Sequence, residues 1–231
     1  MTPDAVAAGC AAAGIELAPD ACARLARYVE LLLAANQRTN LTRITEPTDV
    51  LTKHLVDALL GLPRLAPPLV DVGSGGGVPG LVLACVHPEW RVALVESTSR
   101  KTNFLSEAAA ALGLTQVEVH CARAEALGRG ELRETFRSAT LRAVSSVATC
   151  LELGLPLVEA GGGVLLYRGS EALELGAANG VSATLGGGPL EVEEQALPDG
   201  SGRVLLWAPK REATPARYPR RDGVPAKRPL G

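Results

Sequence analysis

Aromatic residues account for only 3% of this 231-residue chain, and methionine occurs once. Packing therefore falls to Ala, Leu, Gly and Val, and a hydrophobic content of 47% with 21% charged residues suits a folded, soluble enzyme and excludes a disordered chain. No apolar run approaches the roughly 20 residues that span a bilayer. The opening "MTPDAVAAGC" lacks the basic start of a secretory signal, so a cytoplasmic location and no membrane partner are expected. The five cysteines stand far apart with no C-x-x-C pair, which signals neither a zinc site nor a disulfide framework; buried thiols are expected. Internal repeats are absent too.

What is present is unevenly distributed. The formal charge of −2 conceals a basic, proline-rich ending: "PKREATPARYPRRDGVPAKRPLG" holds seven Lys and Arg against two acids, while residues 1–208 hold 16 against 23. Such an ending suits either a local polyanion contact or a solvated tail. If it is a tail, removing residues 215–231 should weaken polyanion binding and spare the rest.

Periodicity divides the remainder. Leu25, Tyr28, Val29, Leu32 and Leu33 recur at helical spacing behind Asp20, a candidate cap. A second helix is expected from Pro47, with His54 and Asp57 three apart on one face, placed to contact each other. From Leu69 short apolar runs alternate with helical stretches, the pattern of a mostly parallel sheet covered by helices. "GVSATLGGGPLEVEEQALPDGSGRVLLWAPK" reads as two strands that add an antiparallel edge pair. The expected organisation is a helical extension over 1–66, an α/β domain over 67–210 and a basic tail over 211–231.

The chemistry concentrates at "LVDVGSGGGVPG", five glycines within eight positions directly after a strand. Gly73, Gly75 and Gly77 supply a turn at the carboxyl end of that strand, where open parallel sheets bind ligands. The helix that starts at Pro79 is expected to offer free N–H groups to an anion. The register from Gly75 through Gly77 and Gly80 satisfies G-x-G-x-x-G, so an NAD-type oxidoreductase is one reading; no hydride-transfer acid accompanies it. Glu96 ends the next strand 23 residues beyond Gly73, where a carboxylate can accept from both ribose hydroxyls of a nucleotide cofactor. Its alternative role is to cap the following helix, which Ser97 or Ser99 could do equally well.

Beyond these motifs, "NLTRITEPTDVLTKHLVDAL", "LVDVGSGGGVPGLVLA", "ESTSRKTNFL", "ARAEAL", "LRAVSS" and "YPRRDGVPAKRPL" occur in order along the chain. Together they resemble the bacterial 16S ribosomal RNA guanine-N7 methyltransferase family, also called glucose-inhibited division protein B. The resemblance implies a Rossmann-like S-adenosylmethionine-dependent methyltransferase sheet with an N-terminal helical extension. By motif matching it assigns Gly73, Val78, Ala124, Glu125 and Arg142 to the cofactor, with Gly75 and Gly77 in the same turn and Glu96 on the ribose. Arg142 would meet the methionine carboxylate or an RNA phosphate. Val78 stands where the family has Leu or Phe, Leu141 where it has Ser or Thr, and Arg168 where it has Lys. Arg100, Lys101, Arg123, Arg142, Arg168, Arg217, Arg220, Arg221, Lys227 and Arg228 are candidate contacts to 16S rRNA or the small subunit. No catalytic residue is assigned and no metal expected; a monomer is. An RNA-binding assembly factor with a retained cofactor pocket is the non-enzymatic alternative.

Overall fold

The computed structural model describes residues 1–169 and 175–231. Its N-terminal part is helical: α1 (Pro3–Ala11) and α2 (Pro19–Asn36). Thr2 caps α1 by accepting from the Ala5 N–H. Asp20, expected as the cap of α2, instead lies inside its first turn, where a carboxylate favours the positive end of the helix dipole. Leu25, Tyr28, Val29 and Leu32 of α2 are buried as their spacing predicts.

From Pro47 the chain forms α3 (Pro47–Val50), a π-helical stretch (Leu51–Val56) and α4 (Asp57–Leu60). The extra residue per turn of a π-helix recurs at functional sites, and this one carries His54 next to Asp57. The sheet elements then follow: β1 (Leu69–Val72), α5 (Gly80–Val86), β2 (Val92–Glu96), α6 (Ser99–Ala111), β3 (Val117–Cys121), α7 (Ala124–Arg129), β4 (Phe136–Arg142), α8 (Val147–Gly154), β5 (Val158–Gly169), α9 (Leu175–Thr184), β6 (Glu191–Ala196), β7 (Gly202–Pro209) and α10 (Val224–Lys227).

Among the described residues seven strands form one sheet in the order β3-β2-β1-β4-β5-β7-β6. The first five are parallel, and β7 inserts antiparallel between β5 and β6. The antiparallel pair agrees with the sequence reading, but "GVSAT" does not belong to it. Those residues end α9, with Ala178 and Val181 buried three positions apart, a helical interval that the neighbouring glycines masked.

Strand alternation sorts the core onto two faces. Leu69, Leu94, Leu165 and Leu205 join α1, α2, α4, α5 and α6 on one face. Val70, Val95, Val164 and Leu206 join α8, α9 and Tyr218 on the other. No described helix is long and apolar enough to cross a membrane.

The basic ending is docked, not a free tail. Tyr218, Pro219 and Pro225 are buried. Arg220 donates to both oxygens of Glu152, a carboxylate with no solvent exposure, from its backbone N–H at 2.9 Å, Nε at 2.8 Å and Nη2 at 2.6 Å. From α7, Arg129 reaches the Arg220 carbonyl and the Asp222 carboxylate. Lys210 is buried too, 3.0 Å from Glu134 and donating to the Leu155 carbonyl at 2.7 Å; burial lowers its pKa. Two of the seven basic groups counted in the ending thus serve the fold.

Candidate functional site

The strand order reverses between β1 and β4, and at their carboxyl ends the sheet opens into a cleft, the location that doubly wound sheets give to ligands. Three bays make up the cleft. One, of about 250 Å³, lies between Glu96 and Glu125, floored by Val72, Gly73 and Val144. The second, of about 480 Å³, runs along Gly73 to Gly76 and is walled by Thr42, His54 and Arg142. The third, of about 390 Å³, is lined by Arg142, Ser145, Arg168 and Arg203. Ala143 borders all three. Its φ of +55° is left-handed, a conformation that costs an alanine roughly 1–2 kcal/mol. Strained backbone of this kind is held where surrounding structure overdetermines it.

The glycines answer different needs. Gly73 has φ +75°, and a Cβ there would lie 2.8 Å from the Val144 side chain, so the turn and the β4 exit approach too closely for any other residue. Gly75, at φ +54°, faces space with nothing nearer than the Gly73 carbonyl at 3.8 Å. Tyr28 of α2 donates its hydroxyl to the Gly76 carbonyl at 2.7 Å, so the N-terminal extension braces this turn.

The anion seat expected at the start of the following helix is closed. The Gly80 N–H donates to Asp71 Oδ2 at 3.1 Å, and the Leu81 N–H to the Gly77 carbonyl. Asp71 also accepts from the Thr140 hydroxyl at 2.9 Å. Burial pushes its carboxyl up to about 6, against these hydrogen bonds.

Glu96 takes up the second of the roles open to it in the sequence, at the start of α6, and braces the glycine turn as well. Its Oε2 accepts from the Gly75 N–H at 3.2 Å and its Oε1 from the Thr98 N–H at 2.9 Å, joining the turn to the start of α6. A carboxylate has about four acceptor positions, so capacity remains in the bay it lines. Glu125 lies on the opposite side, buried, and accepts from Arg123 Nη2 at 3.1 Å and the Gly223 N–H at 2.8 Å. Both contacts fall on Oε1; among the described residues Oε2 has no hydrogen-bond partner. A bay with two carboxylates fits a nucleoside, whose ribose hydroxyls and exocyclic amine are donors.

Sequence reasoning paired His54 with Asp57; the structure joins them through Arg142 instead. Arg142 Nε lies 2.9 Å from Asp57 Oδ2, and its Nη2 donates to the Lys53 carbonyl at 2.5 Å. Its Nη1 is 3.4 Å from His54 Nδ1. The other imidazole nitrogen meets the Thr42 hydroxyl at 2.8 Å. Burial, then the neighbouring guanidinium, lowers the His54 pKa to about 4, so the ring is neutral at pH 7. Arg203 of β7, which sequence reasoning missed, lies 2.5 Å from the other Asp57 oxygen. Its signal was a lone arginine heading the apolar run "RVLLWA".

The candidate RNA contacts divide by environment. Arg100, Arg123, Arg217, Arg221, Lys227 and Arg228 are exposed. Lys101 stands between the first two bays with Nζ 3.9 Å from Glu96, and Arg168 lines the third while donating to the Ser145 carbonyl at 2.6 Å. Arg220 is committed to Glu152 as described. No cluster of three or more His, Cys, Asp or Glu suited to a metal occurs among the described residues.

Comparison with known proteins agrees with this geometry. The chain is 41% identical to the Ribosomal RNA small subunit methyltransferase G of Moorella thermoacetica over 94% of its length and 93% of the relative's. It is 42% identical to the protein of that name from Roseiflexus castenholzii, over 94% and 95%. Among solved structures, cofactor-bound Rv0187 from MTB shares the fold with a TM-score of 0.57 at 18% identity, covering 82% of this chain and 90% of that one. The GidB model, described as rRNA small subunit methyltransferase G, matches residues 21–194, and the chain belongs to that family.

Proposed function

We propose that the protein transfers the methyl group of S-adenosylmethionine to N7 of a guanine in 16S rRNA of the small subunit. Methyl donor and rRNA substrate follow from family membership; the guanine N7 acceptor is the finer step. The observation that carries this reading is the continuous cleft at Ala143, with a two-carboxylate bay on one side and two cation-lined bays on the other. The cofactor supplies an electrophilic methyl group on a sulfonium.

The chain's own residues bind and align. Glu96 and Glu125 accept from the nucleoside, with Ala124 beside the adenine and Gly73, Gly75, Gly77 and Val78 shaping the turn beneath it. Arg142 faces the amino-acid arm. Guanine N7 carries a lone pair and no proton, so no general base is required, and the neutral His54 imidazole, held by Thr42, has no proton to take. Rate enhancement then comes from orientation within a partly dehydrated site. A base whose ring atom reacts must leave its stack; Lys101, Arg123 and Arg168 flank the cleft to hold the displaced strand, while Arg100 and Arg221 add exposed positive charge. Incubating small subunits from cells lacking the modification with labelled cofactor, then mapping the rRNA by mass, tests the assignment. A label on any atom other than guanine N7 refutes it, and cofactor binding without transfer favours the assembly-factor alternative.

A further inference from the structure

The side chain best placed to govern Arg142 does not border the cleft. Asp57 has no solvent exposure, yet its carboxylate meets the Nε atoms of two arginines from two strands, Arg142 on β4 and Arg203 on β7. A buried carboxylate is costly unless paired and hydrogen-bonded, and here one anion is shared by two cations. With Nε ion-paired to Asp57 and Nη2 donating to the Lys53 carbonyl, the Arg142 guanidinium lies with its outer edge along the second and third bays. The π-helical stretch and the first residue of α4 bring Lys53, His54 and Asp57 to the same guanidinium. A cationic imidazole at 3.4 Å would repel it; His54 is kept neutral.

We infer that Asp57 is the positioning residue that presents Arg142 to the carboxylate of the cofactor's amino-acid arm, so that the N-terminal extension completes the cofactor site. This rests on the methyltransferase reading above. An arginine fixed in this way forms charge-assisted, directional bonds to a carboxylate that a freely rotating side chain would form at a greater entropic cost. Arg203 takes up the second carboxylate oxygen and tethers the site to the edge of the sheet.

S-adenosylhomocysteine and 5′-methylthioadenosine share the thioether nucleoside and differ in the amino-acid arm. Calorimetric titration of the full-length protein with each therefore isolates the contacts to the amino-acid arm, the carboxylate among them. Asp57→Asn should lose about tenfold or more of the wild-type preference for S-adenosylhomocysteine while its affinity for 5′-methylthioadenosine stays within about threefold. Arg203→Leu, which leaves the Asp57–Arg142 pair intact, should keep that preference even as thermal stability falls. If Asp57→Asn does not fold, Asp57→Asn/Arg203→Leu removes one buried cation with the anion and carries the same readout. An unchanged preference in the folded variant overturns the inference and leaves Arg142 to an RNA phosphate. Equal loss of both ligands also overturns it, by making Asp57 a support of the whole pocket. Wild-type protein that binds both ligands without preference defeats the inference alone; wild-type protein that binds neither defeats the methyltransferase reading.

Discussion

The N-terminal helices reach the sheet through apolar side chains, Val6, Cys10, Leu25, Val29 and Leu32, all inside one core. The C-terminal segment reaches the opposite face through guanidinium groups, carbonyls and two carboxylates, with Tyr218 as its main apolar anchor. Both ends touch the cleft: Tyr28 holds the glycine turn, and Gly223 donates to Glu125. Burial of apolar area is robust and nondirectional, whereas a polar clasp depends on each partner being in place. The first end should therefore resist single polar changes, and the second should open when one is made.

Removing the Tyr28 ring is the largest single blow to the apolar end. Tyr28→Ala should cost about 3–5 kcal/mol in urea unfolding. Tyr28→Phe keeps the burial and loses only the Gly76 bond, at roughly 0.5–1.5 kcal/mol, and should weaken cofactor binding because the turn is unbraced. A Phe variant that binds cofactor like the wild type would reduce the tyrosine to packing.

At the polar end, Glu152→Gln leaves Arg220 without its counter-charge. Arg220 is a quarter exposed and can turn toward water, so the loss should be roughly 1–3 kcal/mol, below the full value for a buried pair. The signature is local. Limited proteolysis should cut within 211–231 while α2 stays protected, and cofactor affinity should fall because Gly223 no longer fixes Glu125. A variant as protease-resistant as the wild type would break the comparison.

How legible these two ends are in the sequence follows from the same contrast. Helical periodicity exposes the stripe of α2, and strand–helix alternation gives the parallel sheet, because burial leaves a periodic trace. The clasp leaves none: Arg220 looks like its neighbour Arg221, and only pairing 68 residues away distinguishes them. The visible half of such a pair is the acid stranded in an apolar run, Glu152 in "CLELGLP" and Asp71 in "LVDV". Each proves to be buried and hydrogen-bonded. That the glycine turn and Glu96 meet was legible because their spacing is set by one strand–helix–strand unit. Arg203 was not, since it joins Asp57 only through the inserted strand β7.

Acid sharpens the contrast further. The His54 pKa is lowered to about 4 in the folded state, so its contribution is present above its ordinary value of 6.5 and lost as pH falls through 4. Asp71 acts oppositely: raised to about 6, it adds stability that is complete below its ordinary value of 3.8 and lost as pH rises through 6. Burial raises Asp57 in the same direction as Asp71. Between pH 6 and 4 these opposing slopes offset. His54→Gln removes one of them, so this variant should gain stability on acidification across that window while the wild type changes little. Urea midpoints at pH 6, 5 and 4 measure it, and parallel profiles would show that His54 does not titrate with folding.

The smallest effects belong to the exposed cations that the ending retains. Arg217, Arg221, Lys227 and Arg228 lie on the surface. Arg221→Ala should change folding stability by less than about 0.5 kcal/mol. If this face engages rRNA, each such substitution removes about one phosphate contact, which lowers the slope of log affinity against log salt by roughly one. Arg220→Ala, one position away, should behave differently because its guanidinium is occupied by Glu152. Folding stability should fall while the salt slope stays near the wild-type value. The adjacent pair thus separates fold from electrostatic engagement within two residues, and a salt slope that drops equally in both variants would mean that the clasp opens when RNA binds.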